Sequence, residues 1–196
     1  TAPTDDAPGT LQGVVAARID ALPGEEKELL QLAAALGKVF WTDALASLSG
    51  VEGWTLDERL YALERKEFLR REHRSAVAGS KQYVFVHALV RDGAYGQMAR
   101  AARADVHRRI ADWIGKLPAD RADDRVDMLA HHLVEAITYG RAAGGDVADL
   151  VPRASAALRE AGDRAWALGT AASALVFFER ARDVDPAAGE DPYLLL

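Results

Sequence analysis

The chain has 196 residues, of which 49% are hydrophobic and 28% are charged, and its formal net charge at pH 7 is −6. This length fits one large domain or two small ones, with enough apolar residues for a sizeable core. The absence of cysteine excludes disulfide frameworks, thiolate metal sites and cysteine catalysis and favours a cytoplasmic location, and no run approaches the roughly 18 apolar residues of a membrane span.

The first part of the sequence predicts a linker and four helices. Residues 1–10 are polar and contain two prolines and a glycine, as linkers do. Thr10 is placed to cap the first helix, Gly37 to end the second, and Thr55 with Glu58 to form a capping box on the fourth. The spacing of apolar residues places these helices at Leu11–Leu22, from about Glu25 to Leu36, at Thr42–Leu48 and from Thr55 onward. The fourth helix is expected to bury Leu56, Leu60, Leu63 and Tyr61.

Strand-like residues follow the fourth helix. The runs Phe68–Glu72 and Gln82–Val86 are rich in residues that favour strands, and Ser75–Ser80 between them is typical of a flexible tip. A set of helices followed by a two-stranded β-hairpin is the element order of a winged helix. We therefore predict a winged-helix-like domain over residues 11–98.

From Ala88 onward the sequence predicts helices throughout. They lie at Ala88–Met98, Ala101–Leu117, Arg121–Tyr139, Ala148–Leu168 and Thr170–Asp183. Proline and glycine mark their joints, at Pro118, Gly140, Gly144–Gly145, Gly169 and Pro186. Short connections predict antiparallel helical hairpins over residues 99–196. The expected fold class is mainly α, with one β-hairpin in a winged-helix-like domain that is followed by antiparallel helical hairpins.

The last two predicted helices carry the pattern of a tetratricopeptide repeat, a 34-residue helical hairpin. With Pro186 as the terminal proline, the small and aromatic packing positions of the repeat fall on Gly162, Ala174, Phe178 and Ala181. Residues 191–196 look like the start of another helix, and the sequence does not begin with Met. We therefore expect a piece of a longer protein that is truncated inside a helical, tetratricopeptide-like array.

His87 is the first candidate site residue. It lies where the second strand of the hairpin meets a predicted helix, and the N–H groups at a helix N-terminus attract anions. A neutral imidazole there could donate a hydrogen bond to a phosphate oxygen, and the simpler alternative is a cap on the helix or a bond to a backbone carbonyl. Arg91, one turn further on, could also reach a phosphate, or it could form a surface pair with Asp92.

The residues around His87 resemble a known pattern. Residues 85–95 have the form F-x-H-A-L-x-R-D-x-A-Y, and further matching stretches are Leu11–Pro23, Glu26–Trp41, His107–Ala111 and Ala130–His132. Together they resemble the segment that follows the ATPase core in STAND-type signalling ATPases. These include AAA-linked class III adenylate and guanylate cyclases and transcriptional activators of the LuxR and antibiotic-regulatory kinds.

This resemblance implies a non-catalytic regulatory module. An ATPase domain that binds ATP or ADP with Mg²⁺, and an output domain such as a cyclase, would lie elsewhere in the same polypeptide and act as partners. An unidentified protein or small-molecule effector would bind the helical repeats. In the Met-His-Asp motif of plant resistance and apoptotic ATPases the histidine contacts the β-phosphate of ADP. By resemblance His87 is the matching residue, although Val86 and Ala88 replace the Met and the Asp.

Other functions find less support in the sequence. Twelve Lys and Arg against six Asp and Glu from Glu64 to Lys116 favour a DNA-binding winged helix, but acidic residues are frequent in the fourth helix, where a DNA reader needs cations. Asp127, His131 and Glu135 share a helix face and could bind a metal, but a fourth ligand is missing and we expect no metal. More simply, the histidines at 131–132 bridge neighbouring helices. The sequence has no G-x-x-x-x-G-K-[ST], G-x-S-x-G or H-E-x-x-H motif, so we expect no catalysis.

Overall fold

The computed structural model describes residues 10–75, 79–117 and 125–186. The expected linker before residue 10, the centre of the hairpin tip, the joint at Pro118 and the C-terminal segment after Pro186 lie outside the described residues. Within the described ranges the chain is mainly helical, as predicted, with nine helices and one three-stranded antiparallel sheet. None of these helices combines the length and the apolar character needed to cross a lipid bilayer.

The chain divides into two compact units, Thr1–Ala99 and Arg100–Leu196. The elements of the first unit are α1 (Leu11–Asp20), α2 (Gly24–Leu36), β1 (Val39–Trp41), α3 (Thr42–Ser49), α4 (Gly53–Arg65), β2 (Leu69–Arg71), β3 (Gln82–Phe85) and α5 (Ala88–Gly96). Those of the second unit are α6 (Arg100–Gly115), α7 (Arg125–Ala142), α8 (Leu150–Ala167) and α9 (Ala171–Val184).

The predicted β-hairpin is confirmed, and the sheet has a third strand that the sequence did not reveal. β2 and β3 pair antiparallel, with Arg70 opposite Val84. β1 pairs with the other edge of β3, which gives the strand order β1-β3-β2. Its fully buried Phe40 stacks on Tyr83 with the ring centroids 6.0 Å apart. Three residues are too few to show strand alternation, so only the pairing with β3 identifies this segment as a strand.

The predicted helix starts have different outcomes. Thr10 caps α1, since its Oγ1 accepts a hydrogen bond from Gly13 N–H at 3.1 Å. The capping box at Thr55 is wrong, because α4 begins at Gly53, whose φ of +61° turns the chain into the helix two residues earlier. Tyr61, which was expected in the core, is 59% exposed because it lies on the far side of α4 from the buried Leu56, Leu60 and Leu63.

The described residues of the second unit form a series of four helices in which each packs against the next. The core they share includes Leu133, Ile137, Leu150 and Leu158. Gly140, predicted as a joint, lies inside α7, which ends at Ala142. An ideal Cβ on Gly140 would lie 2.5 Å from Val147 Cγ1, so this glycine permits a close approach of the following loop. The turn lies at the next glycines, where Gly145 N–H donates to Gly140 O at 2.9 Å.

A short turn joins α8 to α9. Gly169 adopts a φ of +75° in this turn, which folds α9 back against α8. Ala174 and Ala181 lie on the buried side of α9. Phe178 of α9 covers Gly162 of α8, where an ideal Cβ would come within 2.5 Å of the ring. Two positions of the repeat pattern, the glycine and the phenylalanine, are therefore in direct contact.

Candidate functional site

His87 lies at the corner between β3 and α5. The preceding residue, Val86, is held by a hydrogen bond from its N–H to Phe68 O at 3.1 Å. His87 itself is extended, with φ −134° and ψ 140°, and its carbonyl accepts a hydrogen bond from Val90 N–H at 3.1 Å as α5 begins. The backbone of His87 is thus the N-cap of the helix, fixed by the sheet on one side and by the first helical turn on the other.

The imidazole of His87 makes no capping hydrogen bond with α5, and the residue is exposed. Side-chain capping, the simpler alternative for this residue, is therefore absent from this structure. Helix N-termini carry backbone N–H groups without intrahelical acceptors, and these groups favour anions. An exposed imidazole next to such a terminus is a donor set that suits a phosphate-like ligand.

Arg91 follows His87 by four residues, one turn along the chain. Its Nε and Nη2 donate to Oδ1 of Asp92 at 3.0 and 2.6 Å. The arginine side chain is 38% exposed and the aspartate side chain 56%, and a pair this exposed contributes at most about 1 kcal/mol. An anion at the corner could therefore compete with Asp92 for the guanidinium at little cost.

The other side of α5 is apolar and closely packed. Val90 and Ala94 are buried. Gly93 faces α1, where an ideal Cβ would lie 3.3 Å from Ile19 Cδ1 and 3.4 Å from Val15 Cγ1. The stretch that carries His87 therefore has an exposed polar side, and a packed side on which a small residue is needed.

The second unit contains a polar group of a different kind, a buried pair of histidines. His107 on α6 and His132 on α7 are each 3% exposed, and their Nδ1 atoms are 2.8 Å apart. Tyr139 stacks on the His107 ring at a centroid distance of 6.1 Å. One Nδ1 must donate and the other must accept, so the accepting imidazole has to be neutral.

The surroundings of this pair oppose any charge on it. Burial lowers the pKa of His107 to about 4, and repulsion from His131 and Arg103 acts in the same direction. Burial also lowers the pKa of His132 to about 3, with repulsion from His107 and His131 as further causes. At neutral pH both rings are uncharged, and their bond joins α6 to α7.

Only half of this arrangement was predicted from the sequence. His132 bridges neighbouring helices as expected, but its partner His107 was not predicted. His107 lies three residues before the buried Ile110, and His132 four residues before the buried Ala136, so both occupy apolar helix faces. This spacing indicates burial of each histidine but carries no information about which two faces meet.

Asp127, His131 and Glu135 have no metal-binding arrangement in the structure. Across residues 10–75, 79–117 and 125–186, no group of three or more His, Asp or Glu side chains could hold a metal ion. His131 is exposed while the adjacent His132 is buried, so the two histidines lie on different sides of α7.

No protein-family model matches this sequence, and neither does any curated protein sequence.

Proposed function

We propose that the chain is a non-catalytic regulatory module of a cytoplasmic, multidomain signalling ATPase. In this proposal the first unit is a winged-helix domain that senses the nucleotide state of the ATPase. The second unit carries tetratricopeptide-like hairpins that bind an effector or the output domain. The observation that carries the proposal is the imidazole of His87, which is exposed at the N-terminus of α5 and makes no capping hydrogen bond.

The topology of the first unit supports the winged-helix assignment. A winged helix runs helix, strand, helix, helix and then a two-stranded wing, and the first strand pairs with the last. The elements α2, β1, α3, α4, β2 and β3 follow this order, and β1 pairs with β3. The strand that the sequence did not reveal therefore adds support to the assignment. A fold alone does not determine a function, and the proposed sensing role therefore depends on His87.

The packing of α8 on α9 supports the repeat assignment for the second unit. Gly162 and Phe178 are in contact, and Ala174 and Ala181 are buried. Small residues that let two helices approach, with a phenylalanine between them, are what the repeat pattern requires. Exposed surfaces of such hairpins commonly bind other proteins.

The corner at His87 would act as a sensor through its hydrogen-bond donors. A phosphate of ADP, held by the ATPase domain of the parent protein with Mg²⁺, would accept a hydrogen bond from the imidazole. Arg91 could turn from Asp92 towards the same anion. A ligand that binds one docked state of the winged helix better than another shifts the balance between them.

Calorimetric titration with ADP and ATP tests whether nucleotide binding requires the ATPase domain of the parent protein. The chain by itself is expected to show no measurable binding, because its sequence lacks a phosphate-binding loop. The parent protein with its ATPase domain is expected to bind ADP. Tight binding of ADP to this chain alone would contradict the proposal.

Substitution of His87 in the parent protein tests the sensor. His87→Ala should raise the basal activity of the output domain, since the inactive, ADP-bound state loses a hydrogen bond that stabilises it. His73→Ala is the matched control, because His73 is also exposed but lies by the hairpin tip. Unchanged output in His87→Ala would remove the sensor role.

A DNA-binding winged helix is the second candidate. It is favoured by exposed cations at the hairpin, where Arg70, Arg71 and Arg74 lie. Against it, Glu52 and Glu58 are exposed at the start of α4, where phosphates would have to approach. Electrophoretic mobility shifts with duplex DNA, measured across salt concentrations, separate the two. A steep loss of affinity with salt would favour DNA binding over the regulatory module.

A further inference from the structure

The helix α4 presents four sides, and three of them are occupied within the first unit. Leu56, Leu60 and Leu63 lie in the core. Towards α2, Arg59 and Lys66 form ion pairs with Glu25 and Glu26. Towards the sheet, Asp57 pairs with Lys81 at 2.6 Å, and Glu64 Oε1 accepts a hydrogen bond from Arg71 N–H at 2.9 Å. These contacts fix which side of the helix faces outward.

The fourth side, the outward face of α4, consists of Trp54, Glu58, Tyr61 and Arg65. These residues are spaced i, i+4, i+7 and i+11, so they form one stripe along the helix. Trp54 is 75% exposed and Tyr61 is 59% exposed. Within the described ranges, none of the four side chains has a hydrogen bond, an ion pair or a ring contact. Exposed Trp and Tyr are the residue types that most often dominate binding energy at protein interfaces.

The two charges on the outward face lie on opposite sides of Tyr61, at nearly equal distances from it. Glu58 precedes it by three residues and Arg65 follows it by four. If two copies of the helix lie antiparallel and cross at Tyr61, Glu58 of each copy lies opposite Arg65 of the other. This is the self-complementary pattern that an isologous, two-fold interface requires. A parallel arrangement would instead place Glu58 against Glu58.

We propose that the outward face of α4 binds a second copy of this chain, with the two helices antiparallel and crossing at Tyr61. The two Tyr61 rings meet at the axis, flanked on each side by an ion pair between Glu58 and Arg65. Trp54 lies one helical turn beyond Glu58, about 6 Å along the axis. There it can cover the guanidinium of Arg65 from the second copy, which adds a cation–π contact.

A second copy fits this face better than DNA or an unrelated protein. DNA would bring phosphates against Glu58. An unrelated partner would need the same charges in reverse order, and this chain already supplies them. One helix face buries less than the roughly 1,200 Å² of a stable complex, so we expect a weak, reversible dimer.

Charge reversal with sedimentation velocity tests the proposal. The unmodified chain should shift from monomer to dimer as its concentration rises. Glu58→Arg alone, and Arg65→Glu alone, should each weaken self-association at least about tenfold, because like charges then face each other. The double variant Glu58→Arg/Arg65→Glu should return to within about threefold of the unmodified chain, since the swap restores both ion pairs.

Mixing the two single variants makes the test more specific. One then carries arginine at both positions and the other glutamate at both, so a mixture should form heterodimers although neither associates alone. Glu28→Arg is the charge control, because Glu28 is exposed on α2. Circular dichroism of every variant checks that the fold is retained. A chain that stays monomeric at all concentrations, or a double variant that stays dissociated, would overturn the proposal.

The aromatic residues supply an independent measurement. Trp54→Ala and Tyr61→Ala should each weaken the dimer at least about tenfold, as truncation of central aromatic residues does at other interfaces. Trp166→Ala is the matched control, since Trp166 is 68% exposed in the second unit. If Trp166→Ala dissociates the dimer and Trp54→Ala does not, the interface lies elsewhere and the proposal is wrong.

Discussion

Acid should destabilise the second unit through its buried histidine pair. His107 and His132 are neutral in the folded protein because burial lowers both pKa values, to about 4 and about 3. In the unfolded chain each histidine titrates near its ordinary pKa of about 6.5. The unfolded state therefore binds protons first as the pH falls. The contribution of the pair is fully present above pH 6.5 and is lost as the pH falls towards 4 and below.

The size of the effect follows from proton linkage. Each histidine that is protonated only in the unfolded state lowers the free energy of unfolding by roughly 1 kcal/mol for each pH unit. For the pair this is about 2 kcal/mol per pH unit, or on the order of 4 kcal/mol between pH 6.5 and pH 4.5. A typical domain has a total stability of about 5–15 kcal/mol, so the loss should be measurable.

The double variant His107→Leu/His132→Leu isolates the pair. It removes both titrating groups and their hydrogen bond together, so its stability at pH 7.5 should change little. His107→Leu alone leaves the buried Nδ1 of His132 without the hydrogen bond that it shares with His107, and this variant should lose about 1–3 kcal/mol of stability at pH 7.5. His73→Gln is the control, because His73 is exposed and lies in the first unit, outside the surroundings of the pair.

Hydrogen exchange with mass spectrometry, run from pH 4.5 to pH 8 and corrected for intrinsic exchange rates, measures the effect locally. Peptides from α6 and α7 should lose protection as the pH falls, and peptides from α2 and α4 provide an internal reference. The loss should vanish in the double variant and persist in His73→Gln. If the double variant and the unmodified chain respond to pH in the same way, the histidine pair is not the source of the acid sensitivity.

Two further substitutions test the helix contacts and caps. Gly162→Ala should destabilise the chain by about 1–3 kcal/mol in urea unfolding, because the new Cβ would lie 2.5 Å from the Phe178 ring. Gly115→Ala, where nothing lies within 4 Å, should change stability by less than about 1 kcal/mol, and an equal loss in both variants would refute the packing argument. Thr10→Ala should cost about 1 kcal/mol, since it removes the bond to Gly13 N–H, whereas Thr10→Ser should retain most of it.

Local sequence signals predicted most of the helices and the hairpin, because those elements are set by nearby residues. The cap at Thr10 and the turn at Gly169 need only a few neighbours, and both are present. β1 could not be predicted in the same way, because its pairing partner β3 is about forty residues further along the chain. Gly140 was misread as a helix end, since sequence alone cannot separate a glycine that ends a helix from one that admits a neighbour.

The candidate site likewise has features that local sequence patterns predict and features that depend on how the helices pack. The place of His87 between a strand and a helix follows from local patterns, and the structure has the corner there. The contact of His107 with His132 joins two helices and depends on how α6 and α7 are rotated against each other. No periodicity encodes that rotation. Which face of α4 is exposed likewise became clear only from the ion pairs on its flanks.

The glycine at position 93 has a mechanical consequence. A Cβ at position 93 would lie within 3.5 Å of the side chains of α1, so α5 has little room to roll or slide on that helix. A force on the imidazole at the start of α5 would therefore move α5 and α1 together as one rigid body instead of bending the first turn of α5. A larger residue at position 93 should disrupt the packing of α5 on α1. The movement of α5 would then be transmitted less well to α1, even with the imidazole intact.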